Sequence, residues 1–462
     1  MHVKSELLIG REAEWASLTG FLSGSGRLAI VYGPRRAGKS FLLDGLARAT
    51  GGVVHQAIVA TARAQLADAA RSVGRWLGAG ALDVRDWADL LERLIPLDAP
   101  FVAIDELPYL LETTPELPSL LQRYVDRGQG PRLILCGSAM SVMSDLSTAR
   151  APLFGRASLV VVPGRLSGPT LAELWDGARP EVALWIDAAL GGLAGYRPLV
   201  APPGRSLERW MTDVLLSASS PLLDLADATL ADLPGGASRS TLRSILAAIA
   251  AGEHTFSAIG RVAGVAATAL PRPLGLLERA GLVTRIPDPL RSRRDRYDLG
   301  DPYLSFWLSV VEPNRSALAA GRSRELWPLL EPTWRSTVLG PRWESIVRTH
   351  ISERSTAVLG EPAQVVGATT VADRSQRASM EVDLLAISGP NIVAIGETKL
   401  KRLGRSDLAR LEKVRTILDA PQARLVLASA TSVDLPLRDD VIPITPADVY
   451  SSSTDRPLPK AR

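Results

Sequence analysis

Residues 28–40 read Leu28-Ala29-Ile30-Val31-Tyr32 and then Gly33-Pro34-Arg35-Arg36-Ala37-Gly38-Lys39-Ser40. The first part predicts a buried strand, and the second fits the GxxxxGK[ST] pattern of a phosphate-binding loop that precedes a helix. The amides of such a loop surround phosphate oxygens, and the helix directs its positive N-terminus at them. We expect Lys39 to contact the β- and γ-phosphates of ATP and Ser40 to offer its hydroxyl to a magnesium ion. A chance glycine-rich turn, the alternative, is disfavoured by the flanking strand and helix.

A second apolar run, at residues 101–104, ends in the two acids Asp105 and Glu106. Beside a phosphate-binding loop, this arrangement presents Asp105 to the magnesium shell and Glu106 to an attacking water. Without that loop, two carboxylates at the end of a strand would more simply be solvated. Together the two motifs predict hydrolysis of ATP as well as binding.

Two further residues lie in less specific sequence patterns. Ser138 follows the apolar run at 133–136, where a sensor of the γ-phosphate is expected, although an ordinary serine turn explains the pattern equally well. Arg156, just before another apolar run, can place a guanidinium on the phosphates of its own or of a neighbouring subunit. The chain is rich in arginine, so an ordinary surface arginine is the alternative there.

The first 165 residues alternate short apolar runs with amphipathic stretches, which is typical of a parallel α/β sheet. We predict an α/β P-loop NTPase core at 1–165, with strands at 28–32, 53–59, 101–104, 133–136 and 159–162. Residues 166–233 lack strand patterns and are interrupted by prolines, which predicts a helical lid.

Residues 234–312 predict a winged helix-turn-helix. Helical patterns at 241–251, 256–263 and 266–280 precede two strands, and the turn between the strands is basic, with Arg291, Arg293, Arg294 and Arg296. Such a turn favours contact with nucleic acid, DNA above all. Arginine runs also decorate solvated turns, and winged helices also bind proteins, so both alternatives stay open.

Six short motifs stand out along this part of the chain. They are Ile9-Gly10-Arg11-Glu12, the loop at 33–40, Ile104-Asp105-Glu106, Leu135-Cys136-Gly137-Ser138, Pro152-Leu153-Phe154-Gly155-Arg156, and Tyr297-Asp298-Leu299 with Asp301-Pro302-Tyr303. They resemble the motifs of the archaeal-type ATPase family, a branch of the AAA+ and STAND-like P-loop proteins. The resemblance implies an ATPase core, a helical lid and a winged helix. The segment Gly191-Gly192-Leu193-Ala194-Gly195-Tyr196 departs from the family because it lacks a proline.

Beyond a connector at 313–335, residues 336–450 predict a second, smaller α/β unit with the order helix, strand, strand, helix, strand, and 451–462 a disordered tail. Asp383 and Glu397-Thr398-Lys399 have the spacing of a D…ExK nuclease centre. Adjacent strands can bring Asp383 and Glu397 together as metal ligands, and strand alternation sets Glu397 and Lys399 on one face. Lys399 would act on the water or the phosphate, and Glu344, on the preceding helix, would add a third acid.

This order of elements resembles the restriction-endonuclease-like PD-(D/E)XK fold, which archaeal-type ATPases often carry at this end. Lysine usage supports the hypothesis, because two of only six lysines, Lys39 and Lys399, occupy positions where phosphate chemistry prefers a compact ammonium. The alternative is a half-exposed sheet edge whose acids and lysine form solvated pairs.

Composition sets the remaining limits. The chain has one cysteine, lacks an apolar run of membrane-spanning length and begins without a signal-peptide core, so we expect a cytoplasmic protein with no membrane partner. Its net charge of +4 permits nucleic-acid binding without requiring it. The leading hypothesis is an ATPase, as a monomer or homo-oligomer, that couples its nucleotide state to DNA binding and magnesium-dependent cleavage, in defence or DNA processing. The alternative is a nucleotide-controlled switch, scaffold or transcription regulator whose winged helix binds a protein and whose nuclease-like domain is inactive.

Overall fold

The computed structural model describes residues 8–231, 239–291, 294–373, 378–434 and 438–451. The predicted joint at 234–238, Arg293 and the predicted tail after Ser451 lie outside these residues. The chain divides into two compact units: Met1–Arg165 with Leu193–Gly195, and Leu166–Gly192 with Tyr196–Arg462.

The first unit is a parallel β-sheet flanked by helices. Its strands, in the order β2-β3-β4-β1-β5, are β1 Leu28–Tyr32, β2 Val53–Gln56, β3 Phe101–Asp105, β4 Arg132–Gly137 and β5 Ala157–Val161. Its helices are α1 Glu12–Ser23, α2 Lys39–Thr50, α3 Ala62–Trp76, α4 Trp87–Leu94, α5 Leu107–Thr113, α6 Leu117–Arg127 and α7 Met140–Asp145. The predicted parallel α/β sheet is confirmed.

The central strands are buried on both faces. Along β1, Leu28 and Ile30 pack into one apolar cluster, whereas Ala29 and Val31 pack into another. This alternation follows from the two-residue period of a strand. Because β1 and β3 both pair with β4 in parallel, the loops that follow β1, β3 and β4 emerge at the same edge of the sheet. That edge is where ligands bind in open α/β sheets.

The second unit begins with helices. They are α8 Gly168–Leu174, α9 Pro180–Leu190, α10 Leu207–Trp210 and α11 Leu225–Ala231, followed by α12 Arg239–Ala250, α13 Phe256–Ala263 and α14 Pro271–Arg279. An antiparallel hairpin of β6 Val283–Ile286 and β7 Arg296–Leu299 comes next. This is the order predicted for residues 239–299. Helix α14 begins at Pro271, a position that suits proline, which lacks an amide hydrogen, because the first turn of a helix does not use one.

Residues 313–335, predicted as a connector, are largely helical and packed. After α15 Pro302–Phe306 come α16 Arg315–Ala319 and α17 Ser323–Thr333. Trp327 and Trp334 are buried. The ring centroid of Trp185 on α9 lies 6.4 Å from that of Trp327 and 5.7 Å from that of Trp334, with the rings tilted. The connector therefore belongs to the core of the second unit.

The C-terminal part forms a mixed sheet in the order β12-β11-β10-β9-β8. Its elements are α18 Gly340–Leu359, β8 Val365–Asp373, β9 Ala378–Ser388, β10 Asn391–Lys399, α19 Arg405–Ile417, β11 Arg424–Ser429, β12 Val441–Ile444 and α20 Pro446–Tyr450. Strands β8, β9 and β10 pair antiparallel, and β10, β11 and β12 pair parallel. The order helix, strand, strand, helix, strand was expected, whereas β8 and β12 were not.

Candidate functional site

The loop at residues 33–40 has the backbone geometry that a phosphate cradle requires. Gly38 has a φ of 88° and Arg36 a φ of 66°, and α2 begins immediately after Gly38. Gly33 lies so close to the neighbouring chain that a Cβ there would be 2.8 Å from the carbonyl oxygen of Pro163. Glycine is therefore needed at Gly33 for close approach and at Gly38 for a left-handed conformation.

Lys39 is held inside this loop. Its side chain is only 5% exposed, and Nζ donates to the carbonyl oxygens of Gly33 and Pro34 at 2.9 Å each. Burial lowers the pKa of Lys39, an effect that nearby Glu106 and Asp105 oppose. A buried ammonium whose partners are neutral carbonyls is well placed to attract an anion.

Ser40 and Asp105 contact each other directly. Ser40 Oγ donates to Asp105 Oδ2 at 2.5 Å, and the Asp105 carboxylate also accepts from the amide of Glu106 at 3.0 Å. A hydroxyl and a carboxylate are ligands that magnesium takes when phosphate oxygens and water complete its shell. The described residues contain no group of three or more metal-ligating side chains, so a metal here would depend on a bound nucleotide for further ligands.

Glu106 adopts an unusual backbone conformation and contacts Ser138. Its φ is 53°, in the left-handed region that residues other than glycine seldom occupy. Its Oε2 accepts from the amide of Ser138 at 3.2 Å and from the hydroxyl at 2.9 Å. The structure therefore joins these two predicted residues directly. No separate sequence signal pointed to this contact.

Arg156 is engaged elsewhere in the first unit. Its guanidinium makes a two-pronged ion pair with Asp126 at 2.7 Å and 2.9 Å and also donates to two carbonyl oxygens. The hydrogen bond to Asp126 raises the pKa of Arg156. None of its hydrogen bonds within the described residues reaches the loop at 33–40, so its role at the phosphates stays a prediction without a contact to support it.

Two segments outside the predicted site residues support the loop. Arg11 donates to the carbonyl oxygen of Ala37 at 3.0 Å and to that of Gly164 at 2.6 Å. The amide of Gly195 donates to the carbonyl oxygen of Arg36 at 2.9 Å, and a Cβ on Gly195 would be 2.7 Å from the Arg36 Cβ. Arg11 and Gly195 lie in quoted motifs, but neither was assigned a role.

The parallel sheet, the cradle with its buried lysine, and the acids at the end of β3 together have the arrangement of a P-loop nucleotide-binding fold. The fold class predicted for the first unit is thereby confirmed. No model of a known protein family matches the chain. An uncharacterized protein of Methanocaldococcus jannaschii is 27% identical over 238 residues, which cover 48% of this chain and 51% of that protein. The chain thus spans about half the length of this relative.

Solved structures give distant resemblances of fold. The Walker-type ATPase of Pyrococcus abyssi has a TM-score of 0.49 and 20% identity, over 65% of this chain and 96% of that one. The ORC2 protein of Aeropyrum pernix, in ADPNP–ADP complexes, has a TM-score of 0.41 and 16% identity, over 67% and 94% of the two chains.

The predicted residues of the C-terminal domain are held by different partners. The carboxylate of Asp383 accepts from the amide and hydroxyl of Thr398, at 2.8 Å and 3.1 Å. Glu397 is instead paired with Arg410 of α19 and, at 3.3 Å, with Lys399. Pairing of β9 with β10 ends at Gly396, and the Asp383 side chain accepts from the amide of Thr398, two residues further along β10. Asp383 and Glu397 share no partner among these contacts, and their joint role as metal ligands stays a prediction.

Glu344 lies on the side of Asp383. Burial and the negative charge of Asp383 raise the pKa of Glu344 to about 7, although Arg348 lies 3.4 Å away. Lys399 is shared between Glu397 and Asp407, with the Asp407 contact at 2.5 Å. The acids are thus divided into a Glu344–Asp383 pair and a Glu397–Lys399 group.

Several arginines of residues 239–299 are accessible. Arg272 and Arg279 on α14 are exposed, and neither has an ion-pair partner among the described residues. In the hairpin, Arg285 pairs with Asp295 and Arg296 pairs with Glu381, whereas Arg291 and Arg294 form no ion pair with any described residue. Over the described ranges, no helix combines the length and apolar character needed to cross a bilayer.

Proposed function

We propose that this protein binds ATP with magnesium and hydrolyses it. The observation that carries the proposal is the convergence of Lys39, Ser40–Asp105 and Glu106–Ser138 at one edge of the parallel sheet. Lys39, Asp105 and Glu106 each contact neutral groups in the hydrogen bonds described above, so their charges are available to a nucleotide and its metal.

The residues divide the work by their chemistry. Lys39 would exchange its two carbonyl partners for phosphate oxygens and offset their charge. Ser40 and Asp105 would hold the metal, which when bound screens the β- and γ-phosphates. Glu106 would accept a proton from the attacking water at its carboxylate, and Ser138 would orient that carboxylate through the 2.9 Å hydrogen bond.

A steady-state ATPase assay of the full chain tests this proposal. We expect Lys39→Ala to lower turnover on the order of 100-fold or more, since it removes charge stabilisation that is specific to the transition state. Lys413→Ala is the matched control, because Lys413 pairs with Asp373 in the C-terminal sheet. Full activity of the Lys39 variant would contradict the proposal.

We further propose that residues 239–299 bind nucleic acid, duplex DNA above all, and that the nucleotide state modulates this binding. Exposed, unpaired Arg272 and Arg279 on the third helix support it, together with Arg291 and Arg294 of the hairpin. Fluorescence anisotropy with a labelled duplex measures the affinity. Arg272→Ala with Arg279→Ala should weaken binding and reduce its salt dependence, because phosphate contacts release counterions. Arg63→Ala, also exposed but on α3, is the control.

One observation favours a second function for the C-terminal domain, namely binding without cleavage. Glu397 is already neutralised by Arg410 and Lys399, and Lys399 is also held by Asp407. A divalent cation would have to compete with these ion pairs. A plasmid-nicking assay with magnesium separates the two alternatives: nicking that Asp383→Ala abolishes would establish cleavage, whereas its absence in the parent protein favours a nucleotide-controlled switch.

A further inference from the structure

A small polar cavity in the second unit is lined from two sides. It measures about 110 Å³ and brings His254, Arg296 and Asp298 opposite Glu344 and Asp383. The first three residues belong to the helical segment and hairpin at 239–299, and the last two are acids of the C-terminal domain. We name as the cover β6, residues 287–291 and β7.

The cover rests on strand β8 through a contact that only glycine permits. A Cβ on Gly367 would be 2.2 Å from the carbonyl oxygen of Pro287 and 3.1 Å from the ring of Pro289. Two residues further on, Thr369 Oγ1 donates to Asp288 Oδ1 at 2.7 Å. The pairing of β8 with β9 shifts register between Gly367 and Thr369, so the cover sits at an irregularity of the sheet.

Ion pairs hold the other end of the cover. Arg296 Nη1 lies 3.4 Å from Glu381 Oε1, and Arg348 Nη2 lies 3.7 Å from Asp298 Oδ2. Through its other nitrogen, Arg348 donates to the carbonyl oxygen of Asp383 at 3.0 Å. Asp298 of the cover is thereby linked, through one guanidinium, to the Glu344–Asp383 pair.

The Arg296–Glu381 pair is weak enough to exchange. The Glu381 side chain is 71% exposed, and exposed pairs contribute roughly 0–1 kcal/mol and are screened by salt. The Arg348–Asp298 pair, whose side chains are 10% and 23% exposed, is the more persistent contact. Arg296 cannot bind Glu381 and a phosphate with the same nitrogen. A polyanion that binds Arg291, Arg294 and Arg296 together would therefore compete with Glu381 for Arg296.

We propose that the cover restricts access to the Glu344–Asp383 end of the C-terminal domain, where the Glu344 side chain is 36% exposed, and that a nucleic-acid backbone displaces the cover from Glu381. The inference rests on the proposed nucleic-acid binding. Without a bound polyanion, Arg296 stays on Glu381 and the cavity stays small. With one bound, Arg296 leaves Glu381, the cover shifts, and the acids become more exposed to solvent.

Carboxyl footprinting by carbodiimide labelling and mass spectrometry tests the proposal on the full chain. The labelling of Asp288, on the cover, and of Glu344, beneath it, is measured with and without a 20-base-pair duplex. Gly367→Ala should raise labelling at both several-fold without DNA, because the added methyl meets Pro287. Gly404→Ala is the matched control, since a Cβ there meets nothing within 4 Å. In the parent chain, DNA should reproduce the effect of Gly367→Ala.

Anisotropy of the same labelled duplex, recorded in parallel, keeps the two proposals distinct. DNA that binds without raising the labelling of Asp288 and Glu344 overturns the displacement and leaves the nucleic-acid function intact. No binding at all overturns the nucleic-acid function and the displacement with it. If Gly367→Ala and Gly404→Ala are labelled equally, the contact at Gly367 does not hold the cover over Glu344, and the proposal fails.

Discussion

The nucleotide site of the first unit and the acidic residues of the second differ in how their charges are compensated. At the nucleotide site, Asp105 and Glu106 accept from neutral groups, namely hydroxyls, backbone amides and the Cys136 thiol, and Lys39 donates to carbonyls. In the second unit, Glu397 is bound by two cationic side chains and Glu344 by one. The first site keeps its charges for a ligand, whereas the second compensates them within the chain. The following predictions test that difference, from the largest expected effect to the smallest.

Replacing the candidate base of the first site should have the largest effect. Glu106→Gln keeps an oxygen that can accept from Ser138 but cannot take a proton from water. We expect ATP turnover to fall on the order of 10²–10⁴-fold while ATP still binds, as measured by turnover and by calorimetry. Glu344→Gln in the second unit should leave turnover unchanged. Comparable losses in both variants would erase the distinction between the sites.

Adding a side chain at Gly33, where the backbone lies close to Pro163, should distort the phosphate-binding loop. In Gly33→Ala the new methyl would meet the Pro163 carbonyl oxygen at 2.8 Å, so the loop must shift. Such overpacking costs about 1–3 kcal/mol, and we expect weaker ATP binding and a lower thermal midpoint of the first unit. In Gly164→Ala, the neighbouring control, a Cβ meets nothing within 4 Å and both measurements should stay unchanged. If Gly33→Ala matched the parent protein in ATP binding and thermal midpoint, the loop would accommodate the methyl group without cost.

Removing a compensating cation in the second unit should have a moderate effect. Arg410→Gln leaves Glu397, which is 7% exposed at its side chain, with Lys399 alone. Since Arg410 is itself one-third exposed, we expect a loss of about 1 kcal/mol, seen as faster hydrogen exchange in β10 and α19. Adding Glu397→Gln should recover much of it. If the double variant is worse than Arg410→Gln, the ion pair is not the reason for the loss.

The pH dependence of the ion pair between His254 and Asp298 of the cover should give the smallest effect on stability. Burial lowers the pKa of His254, but the hydrogen bond and charge of Asp298, 2.7 Å away, outweigh burial and raise it overall. A raised pKa means that charged His254 stabilises the second unit fully below about pH 6.5, and that this contribution fades as pH rises through the raised pKa. The pKa of Asp298 is lowered by the same contact, so its contribution is lost only in acid.

The chain has only four histidines, so NMR can follow His254 directly. We expect its titration midpoint to lie above that of an unfolded chain and to drop in Asp298→Asn. A midpoint unchanged by Asp298→Asn would rule out this ion pair as the source of the shift.

The sequence by itself determined the parallel core and the nucleotide loop. The apolar runs predicted all five strands of the first sheet, most clearly the central β1, β3 and β4, because a strand buried on both faces must be almost wholly apolar. The loop at 33–40 was equally predictable, since its geometry is set by eight consecutive residues. The contact of Ser40 with Asp105 followed once β1 and β3 were known to open at the same edge. These features depend on local pattern or on one short connection.

Tertiary structure alone decided the partners of the remaining residues. Arg156 was predicted near phosphate, but Asp126 holds it, and one arginine among many carries no signal of its partner. The spacing of Asp383 and Glu397 fixed their separation along the chain. Their neighbours were decided by where the β9–β10 ladder ends and by the helix on which Arg410 lies. Strand β8, interrupted by glycine and threonines, has no apolar pattern and takes its place from pairing with β9.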